Sequence, residues 1–281
     1  MNESALKERL KLVAEEKKTT LEKIWKQLLL ERFLARLSDS DYQDRFIFKG
    51  GLLLAKYISI GRETIDIDFL VTKIKSEMGV MEKIIKEIAL SQLDDGFHFS
   101  WFSGEELNQP HMEYVGFRIR LNVKFGKMKD KVQIDIGVGD SVEPVDAVFH
   151  SFKYKGKPIF VGEISLRVYP PEFIFSEKLE TLVSKGVINS RMKDYHDLLL
   201  MLREPNFLER GKLLLAIQAT FNRRNTKLIS PIRFDKAGLQ TLQKFWSAHL
   251  NGLGVYKAQL NFPDKIIDVI EEINEWLKKH K

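Results

Sequence analysis

The sequence predicts a mixed α/β domain followed by an α-helical domain. Residues 64–71 read TIDIDFLV and alternate between polar and apolar side chains, which is the period of a β-strand. After Pro170-Pro171 the apolar residues recur at helical spacing almost to the end of the chain. Because strand patterns stop where helical patterns begin, we predict an α/β domain over residues 1–165 and a helical domain over residues 166–281.

The individual elements follow from the same two periods. Helices are predicted at residues 4–17 and 20–37, and a capping box of Thr19 and Glu22 is predicted to begin the second of them. The next apolar run is interrupted by Gly50-Gly51. Strands are predicted at residues 64–71, 97–101, 114–125, 131–137 and 164–169, with a helix at 81–90. Further helices are predicted at residues 172–185, 191–203, 208–221, 236–249 and 264–279.

Composition excludes several classes of protein. Of the 281 residues, 44% are hydrophobic and 30% charged, which supplies a core and excludes a disordered chain. The absence of cysteine excludes a disulfide scaffold, a cysteine-based zinc site and a thiol nucleophile. No apolar run approaches the roughly 18 residues of a membrane span, and the N-terminus lacks the apolar stretch of a signal peptide. We therefore expect a cytoplasmic protein with no membrane partner.

The first candidate site combines two carboxylates with two glycines. Asp66 and Asp68 lie two residues apart on a predicted strand and so point to the same face. Such a pair repels itself unless a cation lies between, and Mg²⁺ is commonly held by one or two carboxylates plus substrate phosphates. Gly50 and Gly51 allow the backbone to approach a phosphate and donate N–H groups to it. The alternative is that the aspartates form the solvated face of an edge strand and the glycines an ordinary turn.

The order of these features resembles the nucleotidyltransferase superfamily to which DNA polymerase β belongs. There, a glycine motif holds the nucleotide phosphates, two carboxylates hold metal ions, and a third carboxylate comes from a neighbouring strand. The alternating segment Val132–Ile136 offers Asp135 for the third position, and Asp140 is the alternative. The resemblance implies a mixed nucleotidyltransferase sheet and a two-metal Mg²⁺ site at Asp66, Asp68 and Asp135.

A longer series of motifs, from about residue 20 to 235, resembles the AbiEii/AbiGii toxin family of nucleotidyltransferases. The motifs are, in chain order, Glu31-Arg32-Phe33-Leu34, Phe48-Lys49-Gly50-Gly51-Leu52, Arg62-x-Thr64-x-Asp66-x-Asp68, Glu177-Lys178-Leu179, Arg191-Met192-Lys193-Asp194-Tyr195-His196-Asp197-Leu198 and Thr220-Phe221-x-Arg223-Arg224-x-Thr226. An ordered set is far more specific than any one motif. Many members have Ser or Thr after the two glycines, whereas this sequence has Leu52, which leaves backbone groups for the phosphate contact.

The resemblance also implies roles for residues outside the carboxylate strand. Lys49, Arg62 and Lys178 are expected to bind the nucleotide and offset the charge of its phosphates. Asp194 borders the apolar stripe of its helix and is expected to orient Lys178 or Arg191, or to act as a base toward an acceptor hydroxyl. The alternative is a structural ion pair with a neighbouring Lys or Arg. By helical phase, Asp197 is predicted to lie further round, toward solvent.

The charge distribution indicates an acceptor rich in phosphate. The chain has 45 basic and 39 acidic residues, a net charge of +6, and residues 176–236 alone carry 12 basic against 7 acidic residues. Arg223, Arg224, Lys227 and Arg233 lie in this stretch and are predicted to contact RNA phosphates. The alternative is that the two adjacent arginines pair with acids of the helical domain.

The resemblance implies a metal-dependent bacterial toxin of a toxin–antitoxin or abortive-infection system that transfers NMP from an NTP to an acceptor. The tRNA 3′ end is the leading acceptor, and the site is expected in the groove between the two domains. The antitoxin is expected to be a separately encoded protein, with no direct contact implied. A small-molecule or protein acceptor and an inactive nucleotide-binding module are the alternatives, and the presence of both Asp66 and Asp68 weighs against the last.

Overall fold

The computed structural model describes residues 1–91, 93–107, 115–139, 142–254 and 256–279. The chain divides into two compact units. Unit 1 comprises residues 1–56 and 64–169, and unit 2 comprises residues 57–63 and 170–281. The predicted α/β class, with N-terminal helices, a mixed sheet and a helical C-terminal part, is confirmed.

Unit 1 is built from four helices and nine described strands. They are α1 (Glu3–Glu16), α2 (Leu21–Ser38), β1 (Phe46–Lys49), α3 (Gly50–Tyr57), β2 (Asp66–Val71), α4 (Met78–Leu90), β3 (His98–Leu107), β4 (Gly116–Phe125), β5 (Met128–Val138), β6 (Val145–His150), β7 (Lys153–Tyr154), β8 (Lys157–Pro158) and β9 (Glu163–Val168). The exposed edge strand β6 and the short buried strand β1 were not predicted, since neither displays a clear two-residue alternation.

Seven of these strands form one mixed sheet in the order β3-β4-β5-β2-β1-β9-β6. The pairs β2–β5 and β1–β9 are parallel, and the other neighbours are antiparallel. One face is apolar: Phe69, Ile136 and Phe117 lie side by side on adjacent strands and are buried. Helices α2 and α4 pack in contact with the sheet, so the core of unit 1 lies on this face.

Helix α2 holds unit 1 together through buried charges as well as apolar contacts. Its N-cap is Thr20, whose hydroxyl accepts a bond from the Lys23 amide, so the predicted start at Thr19 is wrong by one residue. Arg36 donates to both carboxylate oxygens of Asp95 at 2.9 and 2.8 Å, and Glu31 accepts from the hydroxyl of Ser151. These residues of α2 therefore stabilise the fold of unit 1.

Unit 2 is helical. Its helices are α5 (Pro171–Lys185), α6 (Met192–Arg203), α7 (Arg210–Arg223), α8 (Lys236–Gly252), α9 (Tyr256–Leu260) and α10 (Ile266–Lys279). The apolar stripes of α5, α6, α8 and α10 supply its core, including Phe175, Tyr195, Trp246 and Ile273. Among the described residues, no helix combines the length and the hydropathy needed to cross a membrane.

Candidate active site

A row of charged residues crosses four strands on the polar face of unit 1. In the strand register, Lys49 lies opposite Asp68, Asp68 opposite Asp135, and Asp135 opposite Arg118. Residues directly opposite share a face of the sheet, and these four side chains are half-buried. Strand β2, which carries Asp66 and Asp68, lies between β5 and β1. The alternative that the two aspartates lie on an edge strand is therefore wrong.

Gly50 makes room for the Asp68 carboxylate. It follows β1 directly, begins α3 and has φ +78°, a conformation that favours glycine. A Cβ atom placed there would lie 2.8 Å from the Asp68 Cβ and would overlap the carboxylate. The N-terminal end of α3, whose first amide groups have no partner within the helix, is thereby held beside a carboxylate. Leu52, two residues after Gly50, is buried among the hydrophobic residues of the core.

The third predicted carboxylate is held by an arginine. Asp135 accepts hydrogen bonds from Arg118 Nε at 2.9 Å and from Arg118 Nη2 at 2.7 Å. The bonds to Asp135 raise the Arg118 pKa above its ordinary value. Arg118 was not identified from the sequence, although the alternation of Phe117 to Val123 places it on the polar face. Asp140, the alternative third carboxylate, lies outside the described residues.

The aspartates of β2 have the donor chemistry that a hard cation requires. Asp66 and Asp68 project from one face of β2, and Thr64 donates a 3.4 Å hydrogen bond to Asp66. Across the part of the chain that the structure describes, no group of three or more His, Cys, Asp or Glu side chains forms a metal-binding cluster. Two carboxylates fit Mg²⁺, which completes its shell with water and substrate phosphates. Asp135 as a third ligand remains a prediction.

In unit 2, a buried carboxylate binds two cations. Asp197 accepts from Arg62 Nε at 2.8 Å, from Arg62 Nη2 at 2.6 Å, and contacts Lys178 Nζ at 2.6 Å. Asp197 is 0% exposed, so the prediction that it lies toward solvent is wrong. The prediction from helical phase used only the apolar stripe of α6. In the fold, Arg62 from the segment 57–63 and Lys178 from α5 lie against the other side of this helix and bury Asp197.

Asp194 extends this cluster. Its Oδ1 lies 3.4 Å from Lys178 Nζ and its Oδ2 lies 3.2 Å from Arg191 Nε. The Oδ2 contact is an ion pair without hydrogen-bond geometry, so this buried oxygen has no hydrogen-bond donor in the structure. The predicted contact of Asp194 with Lys178 is thus present, and Asp194 keeps one oxygen with unused hydrogen-bonding capacity.

The charges of this cluster set the protonation of its members. Burial acts to raise the pKa of Asp197, but Lys178 and Arg62 outweigh burial and hold this pKa far below its usual range. Burial acts to lower the pKa of Lys178, but Asp197 and Asp194 outweigh it and raise this pKa. Both groups are therefore charged at neutral pH.

A histidine pair anchors the segment that carries Arg62. His196 Nε2 lies 2.6 Å from the carbonyl oxygen of Ile60, which can only accept, so Nε2 carries the proton. His196 Nδ1 then accepts from Nε2 of His249 at 3.0 Å. Burial lowers the pKa of His196 to about 4, which keeps it neutral at pH 7. These contacts fix residues 57–63 against α6 and α8.

The predicted RNA-binding residues differ in their surroundings. Arg224 is held by acids of α5: its Nη1 lies 2.5 Å from Glu180 Oε2 and its Nη2 lies 3.7 Å from Glu177 Oε1. Arg223 is half-buried, whereas Lys227 and Arg233 are exposed. The geometry of Arg224 favours the structural alternative, and the two exposed residues remain candidates for phosphate contact.

The sequence matches a known protein family over most of its length. Residues 32–265 match the family described as nucleotidyl transferase AbiEii toxin, type IV toxin–antitoxin system. The chain belongs to the AbiEii family. The predicted family is confirmed, and membership makes the chain a toxin-type nucleotidyltransferase whose system includes an antitoxin. No curated protein matches the sequence.

Two solved structures from Helicobacter pylori are similar to this AbiEii protein. One is JHP933, at 13% identity and TM-score 0.43, with 89% of this chain and 88% of that chain covered. The other is described as a candidate nucleotidyltransferase, at 12% identity and TM-score 0.46, with 93% and 95% covered. At these values, neither structure informs the function of this chain.

Within each unit of the AbiEii protein, the structure brings predicted residues together. Gly50 and Lys49 lie beside Asp68 in unit 1. In unit 2, Arg62 and Lys178 bind Asp197, and Lys178 also contacts Asp194. Arg118, Asp197 and His196 were not predicted as site residues. The signal that could have identified Asp197 was its place in the family motif, three residues after Asp194.

We expect Gly50→Ala to displace the Asp68 carboxylate and abolish Mg²⁺-dependent nucleotide binding. The new Cβ overlaps Asp68, and the positive φ adds about 1–2 kcal/mol of strain. Binding of a fluorescent NTP analogue with and without Mg²⁺ measures the effect. Gly79→Ala is the control, because nothing lies within 4 Å of its added Cβ. Unchanged binding by Gly50→Ala would contradict the close approach of Gly50 and Asp68.

We expect Asp197→Asn to lower the free energy of unfolding by about 3–5 kcal/mol at pH 7, because it removes the anion from a buried pair of cations. The folded-state pKa is depressed, so this stabilisation is present above the unfolded pKa of about 3.9 and lost as pH falls below it. Urea unfolding at pH 7, 5 and 3.5 should show the gap to wild type narrowing only below about pH 4.

The control for Asp197 is Asp264→Asn, whose exposed carboxylate lies 3.5 Å from Lys257 and should change stability by less than about 0.5 kcal/mol. Equal stability of the Asp197 and Asp264 variants would refute the buried cluster.

We expect Arg224→Ala to destabilise the protein by about 1–3 kcal/mol, because buried Glu180 loses a charged hydrogen-bond donor. The dependence of RNA affinity on salt should stay unchanged. Arg233→Ala, at an exposed position, should leave the melting temperature unchanged. The opposite pattern for Arg224, a wild-type melting curve with a salt slope reduced by about 0.7–0.9, would identify it as a phosphate contact.

Proposed function

We propose that this AbiEii protein is a Mg²⁺-dependent nucleotidyltransferase that transfers NMP from an NTP to the 3′ hydroxyl of an RNA, with tRNA as the first candidate. The observation that carries the proposal is the position of Asp66 and Asp68 on one face of a central strand, with Gly50 and the start of α3 against Asp68. A metal-binding carboxylate beside a phosphate-binding helix start is what a nucleoside triphosphate requires.

The residues of unit 1 have separable roles in this proposal. Asp66 and Asp68 would hold the metal ion, and the Gly50 and Gly51 amides would bind phosphate oxygens. Lys49, in register with Asp68, would add positive charge beside the triphosphate. When bound, Mg²⁺ supplies charge compensation for the attacking and leaving oxygens. The acceptor oxygen would bond to the α-phosphorus as the bond to pyrophosphate breaks.

Asp135 would take the proton of the acceptor hydroxyl. Its two oxygens each accept one hydrogen bond from Arg118 in the structure, and each oxygen keeps a second lone pair that can accept a proton. The bidentate contact with the guanidinium holds the Asp135 carboxylate in a fixed orientation. Arg118 is thus proposed as the residue that orients this base.

For unit 2, we propose that Lys178 and Arg62 bind nucleotide phosphates and that Asp197 positions both of them. One buried carboxylate fixes the two cations in place, which reduces the conformational entropy lost when they bind a ligand. Asp194, which has an oxygen without a hydrogen-bond donor, would accept from the ligand or from Arg191. The exposed Lys227 and Arg233 would contact phosphates of the acceptor.

The test is transfer of label from each of the four α-labelled NTPs to total RNA. We expect labelled RNA with Mg²⁺, none with EDTA, and a loss of at least about 100-fold in Asp68→Asn, because a metal-binding carboxylate is removed. Asp41→Asn, at an exposed position of unit 1, is the control and should retain wild-type activity. Melting curves establish that the variants are folded.

The outcomes separate the proposed acceptor from the alternatives. If protein or a small molecule is labelled and RNA is not, the acceptor is that protein or small molecule and not RNA. Full activity of Asp68→Asn would refute the metal site, and the absence of label in every fraction would favour an inactive nucleotide-binding module.

A further inference from the structure

A basic strip runs along the polar face of strands β4 and β5, from Arg118 beside Asp135 to the turn that joins the two strands. We call this the hairpin strip, because it ends at the turn between β4 and β5. It is defined by Arg118, Arg120, Lys124, Lys129 and Lys131. Lys124 lies opposite Lys129, and Asn122 opposite Lys131, so these side chains share the face that carries Arg118 and Asp135.

One end of the hairpin strip touches the predicted catalytic residues. Arg118 binds Asp135, which lies opposite Asp68. From Arg118 to Lys124 the strand advances by six residues, or about 20 Å. The strip therefore leads from the carboxylate row to the tip of the hairpin, which is long enough for several nucleotides of an extended chain.

The charges of the strip are compensated only at the carboxylate end. Arg118 is paired with Asp135, and Arg120 lies 3.1 Å from Glu105. Lys124, Lys129 and Lys131 form no ion pair with any described residue, and all three are exposed where the chain turns back on itself. The two nearby acids are bound elsewhere, Glu3 to the backbone of the turn and Asp130 to Lys26. The three lysines therefore repel one another and attract an anion.

An exposed aromatic ring lies beside the same strip. Phe102 is 49% exposed and sits at the irregularity where the β3–β4 register shifts. Lys131 Nζ is 3.3 Å from the centre of its ring. Ser100, two residues before Phe102, and its cross-strand partner Asn122 are polar. Cations that follow a backbone together with a ring on which a base can stack are the components of a single-strand nucleic-acid site.

We propose that the hairpin strip binds the single-stranded 3′ portion of the RNA acceptor, with Lys124, Lys129 and Lys131 at phosphates and a base stacked on Phe102. This inference rests on the proposed function for the identity of the ligand. The strip directs the chain toward Arg118 and Asp135, where the 3′ hydroxyl would react. It places an acceptor contact in unit 1, in addition to the predicted contacts at Lys227 and Arg233.

The test is the affinity of the full chain for a fluorescent 12-nucleotide single-stranded RNA with a free 3′ hydroxyl, measured by anisotropy from 50 to 300 mM salt. Lys124→Ala with Lys129→Ala should lower the salt slope by about 1.4, since each lysine that no longer neutralises a phosphate lowers it by about 0.7. Lys7→Ala with Lys11→Ala removes the same charge from exposed positions of α1 and should leave the slope unchanged.

Stacking on Phe102 is tested by a second pair of variants. Phe102→Ala should weaken RNA binding about fivefold or more without changing the salt slope, and Phe102→Tyr, which retains a ring, should bind within about twofold of wild type. Melting curves of all variants should match wild type, because Phe102, Lys124 and Lys129 are exposed.

Binding and transfer are read separately, so the two proposals can fail independently. If wild type labels RNA but the double-lysine variant keeps the wild-type salt slope, the hairpin strip is refuted and the proposed function stands. If RNA binding shows the expected slopes but no RNA is labelled, the strip is supported and the proposed acceptor is refuted. If the Lys7 and Lys11 substitutions lower the slope as much as those of Lys124 and Lys129, binding depends on net charge and the strip is refuted.

Discussion

The register of four adjacent strands fixes the polar face of unit 1. Because side chains alternate with a period of two, a slip of β2 by one residue against β5 would turn Asp66 and Asp68 into the core and bring Ile67 and Phe69 out. The buried contacts of Phe69 with Phe46 and Phe48 make that slip costly. The apolar face thus determines where the carboxylates are, and Lys49, Asp135 and Arg118 follow from the same register.

The charged residues of the two units are held in different ways. In unit 1, Lys49, Asp68, Asp135 and Arg118 are half-buried and lie on the polar face of the sheet. Such groups can exchange a partner for a ligand at modest cost, because water solvates them during the exchange. In unit 2, Asp197 is wholly buried and binds two cations, so we expect the loss of its charge to destabilise the fold.

Gly50 and Leu52 lie two residues apart in the same motif and have different surroundings. Gly50 leaves space for the Asp68 carboxylate, while Leu52, two residues later on α3, is buried in the core. A Ser or Thr hydroxyl at position 52 would therefore be buried in the apolar core. The phosphate contact of the backbone amides at Gly50 and Gly51 stays a prediction.

The sequence was sufficient wherever a local pattern carried the information. The alternation of residues 64–71 placed Asp66 and Asp68 on one face, the helical spacing after Pro170 predicted five helices, and the ordered motifs identified the family. These features depend on residues that are close together in the sequence, so they could be predicted from the sequence alone.

Tertiary structure decided which charges meet. Arg118 and Asp135 are 17 residues apart, and Arg62 and Asp197 are 135 apart, so no local period connects them. Helical phase placed Asp197 toward solvent because it does not include the segment that packs over α6. The sequence pattern predicted that Arg224 contacts RNA, whereas in the fold Arg224 donates a hydrogen bond to Glu180 on another helix. A buried charge needs an oppositely charged partner, because its desolvation is otherwise too costly. Here each partner lies far away in the sequence, so only the tertiary packing determines which residue it is.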